Sequence, residues 1–182
     1  MLKNKYAKDY RIEAYSGKNG KVKERAVYTG PVFELDQESN GHLFRKMALL
    51  FIISLLLFIT SLWNYSTLTR VFYVSGPLLL MPVVLYLYLT GLLHVRGEDG
   101  RLNREQKEKG PDRLKGIGIF GIVISGIVFV TALIKACLNG MDLLFWDWYF
   151  LAASALQIPV YTVSFLLGRK ITVTEDINRK TV

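Results

Sequence analysis

Charged and apolar residues occupy separate blocks of this chain, and that separation restricts its fold more than any other feature. Residues 47–93 hold one charged side chain, Arg70, and residues 117–167 hold three, Lys135, Asp142 and Asp147; the other 84 residues carry the remaining 34 charges. A soluble domain mixes charge and apolarity within each helical turn, so that one face of the helix meets water. The blocks here leave no polar face. They argue against a soluble globular enzyme and against a disordered basic tail, and they point to an integral membrane protein.

A helix needs about 20 mostly apolar residues to cross a hydrocarbon core ~30 Å thick. Four stretches qualify, at about 47–63, 71–93, 117–138 and 143–167. Lipid offers the backbone no hydrogen bonds, so each is expected to be helical. The expected fold class is an all-α membrane protein. A four-helix transmembrane bundle over 47–168 follows a cytoplasmic segment, 1–46, and precedes a cytoplasmic tail, 169–182. The first span lies behind 46 largely polar residues and reads as an internal signal-anchor, not a cleaved signal peptide.

The net charge of +8 suggests nucleic acid at first sight, but its distribution says otherwise. Residues 1–46, the middle loop and the tail hold 21 of the 23 Lys and Arg, and the opposite side holds only Arg70 and Lys135. Positive loops stay in the cytoplasm, so both termini and the middle loop are expected there. Trp63, Trp146 and Trp148 then fall at the outer interface, where indole rings favour the headgroup level. The partner expected from composition is the lipid bilayer, with no nucleic acid.

The N-terminal segment has a pattern of its own. Tyr10, Ile12 and Ala14 alternate with Arg11, Glu13 and Tyr15, and alternation resumes from Val22 to Tyr28 after Ser16-Gly17-Lys18-Asn19-Gly20. Period-2 alternation around a Gly- and Asn-rich turn predicts a β-hairpin. Gly30-Pro31 breaks the chain, and Val32-Phe33-Glu34-Leu35 offers a short third strand. Ile171-Thr172-Val173-Thr174 has strand propensity and is a candidate to extend the ribbon. Ser39-Asn40-Gly41 reads as a break before the first span. Arg101 to Lys109 reads as an exposed helical stretch ended by Gly110, with Pro111-Asp112 in the first turn of the helix leading into the third span.

Signatures of chemistry are few. No ionisable group lies near the middle of a span, so the buried carboxylate of a proton-coupled exporter is missing. Lys135, Asp142 and Asp147 are close enough in sequence to form either interfacial end groups or an outer-mouth ion site. His94 near the inner interface has only His42 as a possible companion, too few for a metal site. Cys137 is alone, which rules out an intramolecular disulfide and a CxxC redox centre. No GxSxG, HExxH or phosphate-loop pattern occurs, and Gly116, Gly118 and Gly121 do not match GxGxxG. Asn64-Tyr65-Ser66 matches a glycosylation sequon but abuts a span end. No cofactor is expected, and the chain reads as no enzyme.

Packing signals are clearer. Gly118, Gly121, Ser125, Ala132 and Ala136 fall within ~60° of one face of the third span, where small side chains let backbones approach closely. Ala153, Gln157, Ser164 and Gly168 form a comparable stripe on the fourth. Gln157 should face protein, and Pro159 frees a carbonyl near it, so the two are candidates to line a cavity. Pro77 and Pro82 predict a kink in the second span.

Tyr6-Ala7-Lys8-Asp9-Tyr10-Arg11, Gly20-Lys21-Val22-Lys23 and Arg25-Ala26-Val27-Tyr28-Thr29-Gly30-Pro31 resemble the N-terminal part of small, uncharacterised four-span membrane proteins of Gram-positive bacteria. The resemblance covers roughly the first 35 residues and the layout of spans. It implies a bacterial cytoplasmic membrane and no particular activity. The sequence thus points to a non-enzymatic accessory or assembly component of a membrane complex, with a membrane-protein partner or a homo-oligomer. The alternative is a small oligomeric transporter or channel built around Gln157, Pro159 and the third-span stripe.

Overall fold

A computed structural model describes residues 5–16, 22–35, 37–63, 66–95 and 101–175. The chain is mostly helical, and four of its helices are long and apolar enough to cross a membrane. The first, α1, runs from Gln37 to Trp63. No break occurs at Ser39-Asn40-Gly41, contrary to the sequence expectation. One glycine costs a helix only ~1 kcal/mol, too little to end one sustained by the apolar run that follows it.

The second long helix is divided into α2, Phe72–Leu78, and α3, Met81–Val95. The interruption at Leu79 and Leu80 bears out the kink expected from the prolines. Pro82 has no N–H to give the Leu78 carbonyl, and its ring crowds the preceding turn. A short turn, α4, spans Arg104–Lys107 behind a capping box in which Asn103 and Gln106 bond each other's backbone N–H. Gly110 does not end this stretch. A π turn over Glu108–Asp112 carries the chain directly into α5, Arg113–Leu138. The wider turn accommodates Pro111, and Gly110 lets α3 come close: a Cβ there would lie 2.8 Å from Val95 Cγ2.

The C-terminus of α5 is closed by a Schellman-type pair, Gly140 N to Cys137 O and Met141 N to Ala136 O, both 3.0 Å. Gly140 holds φ +68° there. The last long helix, α6, covers Phe145–Arg169.

Two small sheets accompany the helices. β1, Tyr10–Ser16, and β2, Val22–Tyr28, pair antiparallel from Tyr10 opposite Tyr28 to Ser16 opposite Val22. This is the expected hairpin; its turn residues 17–20 lie outside the described residues. β3, Phe33–Leu35, does not extend the hairpin. It is the central strand of a second antiparallel sheet, between β4, Arg101–Leu102, and β5, Val173–Glu175. The segment before α1, the loop before α4 and the tail after α6 therefore meet at one end of the bundle.

The helices leave many large apolar side chains on the outside of the bundle. Leu49, Ile52 and Leu56 on α1, Val83 and Tyr86 on α3, Val123 and Val130 on α5, and Leu156 and Leu166 on α6 are all exposed. Of the most apolar window of each long helix, 11% is buried for α1 and 39% for each of the others, so α1 lies at the edge of the bundle.

Candidate functional site

The polar interior is built on one face of α6. Ser154, Gln157, Tyr161 and Ser164 recur at helical spacing and are all buried. Ser54 Oγ on α1 lies 2.8 Å from both Gln157 Oε1 and Tyr161 Oη. A hydroxyl has one proton, so the consistent arrangement has Tyr161 donating to Ser54 and Ser54 donating to Gln157. Gln157 Nε2 donates in return to the Ser54 carbonyl at 2.9 Å. One turn further along, Tyr88 on α3 lies 3.1 Å from the Met47 carbonyl and 2.8 Å from Ser164 Oγ. Ser164 also reaches the Val160 carbonyl at 2.8 Å, so two protons serve three contacts. These bonds tie α1, α3 and α6 together.

Beside Gln157 is a cavity of about 10 Å³. Ser61, Ser125, Ser154 and Gln157 contribute to its lining, with Leu78 and Met81 on either side of the α2–α3 interruption. A space near 10–15 Å³ holds about one water molecule, so no solute of metabolite size fits.

The five small residues of the α5 stripe, Gly118, Gly121, Ser125, Ala132 and Ala136, are all buried. A Cβ on Gly118 would stand 2.6 Å from Phe165 Cβ, and one on Gly121 2.4 Å from Tyr161 Cδ1. These two glycines therefore bring α5 against α6. On α6, Ala153, Gln157, Ser164 and Gly168 are likewise buried. Pro159 is the exception. It is exposed, because two residues along a helix differ by about 200°; it does not share Gln157's face and lines no cavity with it.

Asp147 is buried, but not in an ion site with Lys135 and Asp142. Its Oδ1 accepts from Ser66 Oγ and Thr67 N, both at 2.7 Å, and its Oδ2 from Thr67 Oγ1 at 2.9 Å and Leu144 N at 3.2 Å. Four donors occupy both oxygens. Asp147 caps α6 and fastens to it the turn between α1 and α2. Asp142 is exposed, and among the described residues no ion pair joins it to Lys135. The sequon at 64–66 has its first two residues outside the described ones.

His94 directs Nδ1 to the Thr90 carbonyl at 2.7 Å. No cluster of three or more His, Cys, Asp or Glu that could hold a metal occurs among the described residues. Cys137 is exposed.

At the opposite end of the bundle from Asp147, the hairpin is fastened at its base. Glu108 pairs with Lys5 and accepts from Tyr6 Oη at 2.9 Å. Tyr28 Oη donates to the Pro31 carbonyl and accepts from Arg104 N, both at 2.9 Å. Burial pushes the Tyr28 phenol above its ordinary pKa. Lys107 Nζ lies 4.0 Å from the centre of the Phe33 ring, a cation–π contact between α4 and β3. Beyond this base, Ile12, Ala14 and Ala26 are exposed on one face of the ribbon, which they share with Glu24 opposite Ala14.

Ser54, Tyr88, Tyr161 and Ser154 were not singled out from sequence. Ser and Tyr are unremarkable within apolar runs, and only the helix packing makes them partners. A polar residue recurring every three or four positions along α6 was the available signal. Searches with family models, among curated proteins and among solved structures found no match to the chain.

Proposed function

We propose that the chain is a multi-pass integral membrane protein of the bacterial cytoplasmic membrane, with both termini and the middle loop cytoplasmic. It acts as a non-enzymatic accessory or assembly component of a membrane complex. Four long helices with apolar exteriors support insertion, since lipid is the solvent that tolerates such a surface. The sheet formed by β3, β4 and β5 supports the topology, because it gathers the three basic segments at one end of the bundle.

The observation that carries the role is the hairpin of β1 and β2. A two-stranded ribbon is marginally stable alone, yet this one leaves Ile12, Ala14 and Ala26 uncovered. It is an element suited to docking a membrane-protein partner or a second copy of the chain. The alternative is a small oligomeric transporter or channel; the cavity beside Gln157 is too small, at about 10 Å³, to pass a solute through one copy.

Purification of the full chain in mild detergent tests the role. A stoichiometric partner or a defined homo-oligomer is expected, and Ile12→Lys should release it. A monodisperse lone monomer would count against the proposal.

A further inference from the structure

We propose that the cavity between α1, α5 and α6 is a binding site for one water molecule, held by Ser61, Ser125, Ser154 and Gln157. The volume of about 10 Å³ sets the occupancy. Hydrogen-bond chemistry sets the ligand. Ser125 Oγ is buried and has no hydrogen-bond partner among the described residues. Of the two hydrogens on Gln157 Nε2, one goes to the Ser54 carbonyl and leaves one to donate.

The other two hydroxyls are already committed as donors. Ser61 Oγ gives its proton to the Leu57 carbonyl at 2.6 Å, and Ser154 Oγ gives its own to the Leu151 carbonyl at 2.9 Å. Both retain lone pairs. Two donors and two acceptors match the two lone pairs and two hydrogens of water. The lining carries no ionised group, so it offers nothing to neutralise a bare ion. The bound water joins α1, α5 and α6 at the level of the α2–α3 interruption, where Leu78 and Met81 wall the site. The site does not depend on the accessory role proposed above.

The test is water-edited solid-state NMR of the full chain in lipid vesicles. Magnetisation should pass from water to the Ser125 hydroxyl and the Gln157 side-chain amide, and not to Val123 or Val130, which face outward on α5. Ser125→Val fills the cavity with methyl groups and should abolish transfer to Gln157. Absence of transfer to Ser125 and Gln157 in the wild type, while exposed Lys8 shows it, would overturn the proposal. So would transfer to Gln157 that persists in Ser125→Val. If that variant does not fold, the wild-type spectrum decides alone.

Discussion

Gln157 shows how one side chain acquires its meaning from neighbours far away in sequence. It is the strong hydrogen-bonding group inside an apolar helix, so its inward orientation was readable from the chain. Its partner Ser54, 103 positions away, was not. Interhelical hydrogen bonds in membranes contribute about 0.6 kcal/mol on average and up to ~1.7 kcal/mol. Gln157→Leu is therefore expected to cost about 1 kcal/mol, measured by reversible unfolding in mixed micelles; no loss would mean that Ser54 finds another partner at no cost. The glycines of α5 divide in the same way. Gly121→Ala forces a methyl against the Tyr161 ring and should destabilise by about 1–3 kcal/mol. Gly126 has open space around its Cβ position, so Gly126→Ala should be neutral or stabilising by up to ~1 kcal/mol. Equal effects from both substitutions would contradict the α5–α6 interface.

Among the elements, the long helices follow from composition and their interruptions follow from local chemistry only in part. Pro77 and Pro82 foretell the α2–α3 interruption because proline removes an N–H wherever it lies. Gly110-Pro111 looks like the same signal, yet the chain passes through it as a π turn. Packing of Gly110 against Val95 favours continuity there, and that contact is not local in sequence. β3, β4 and β5 are two or three residues each, too short to persist without one another. Truncation after Ile171 removes β5 and should leave β3 with one neighbour. Backbone amides of β3 should then exchange faster by about fivefold for each lost hydrogen bond of ~1 kcal/mol. Unchanged exchange at Glu34 and Leu35 would show that β5 contributes nothing to the sheet.

For the whole molecule, charge distribution and sheet topology bear on the same question. All of the formal net charge belongs to the three segments that meet at the β3–β4–β5 end, and Arg70, Lys135, Asp142 and Asp147 cancel at the other. The proposed orientation has a direct test. Exposed Cys137 lies near the end of zero net charge and should react with an impermeant thiol reagent added to intact cells. Lys170→Cys in a Cys137→Ala background should react only after permeabilisation. The reverse pattern would invert the topology.

The sequence alone determined the number of long helices, the kink of the second, the hairpin and the close-packing face of α5. Each is a local property, set by composition, by periodicity or by a residue with restricted backbone chemistry. Only the tertiary structure decided that β3 belongs with β4 and β5, and that Asp147 is a cap and not an ion ligand. The Ser54–Gln157–Tyr161 joint and the cavity beside it belong to the same class. They depend on helices distant in sequence meeting in one register, and a hydroxyl in an apolar run acquires a role only when packing supplies its donor or acceptor.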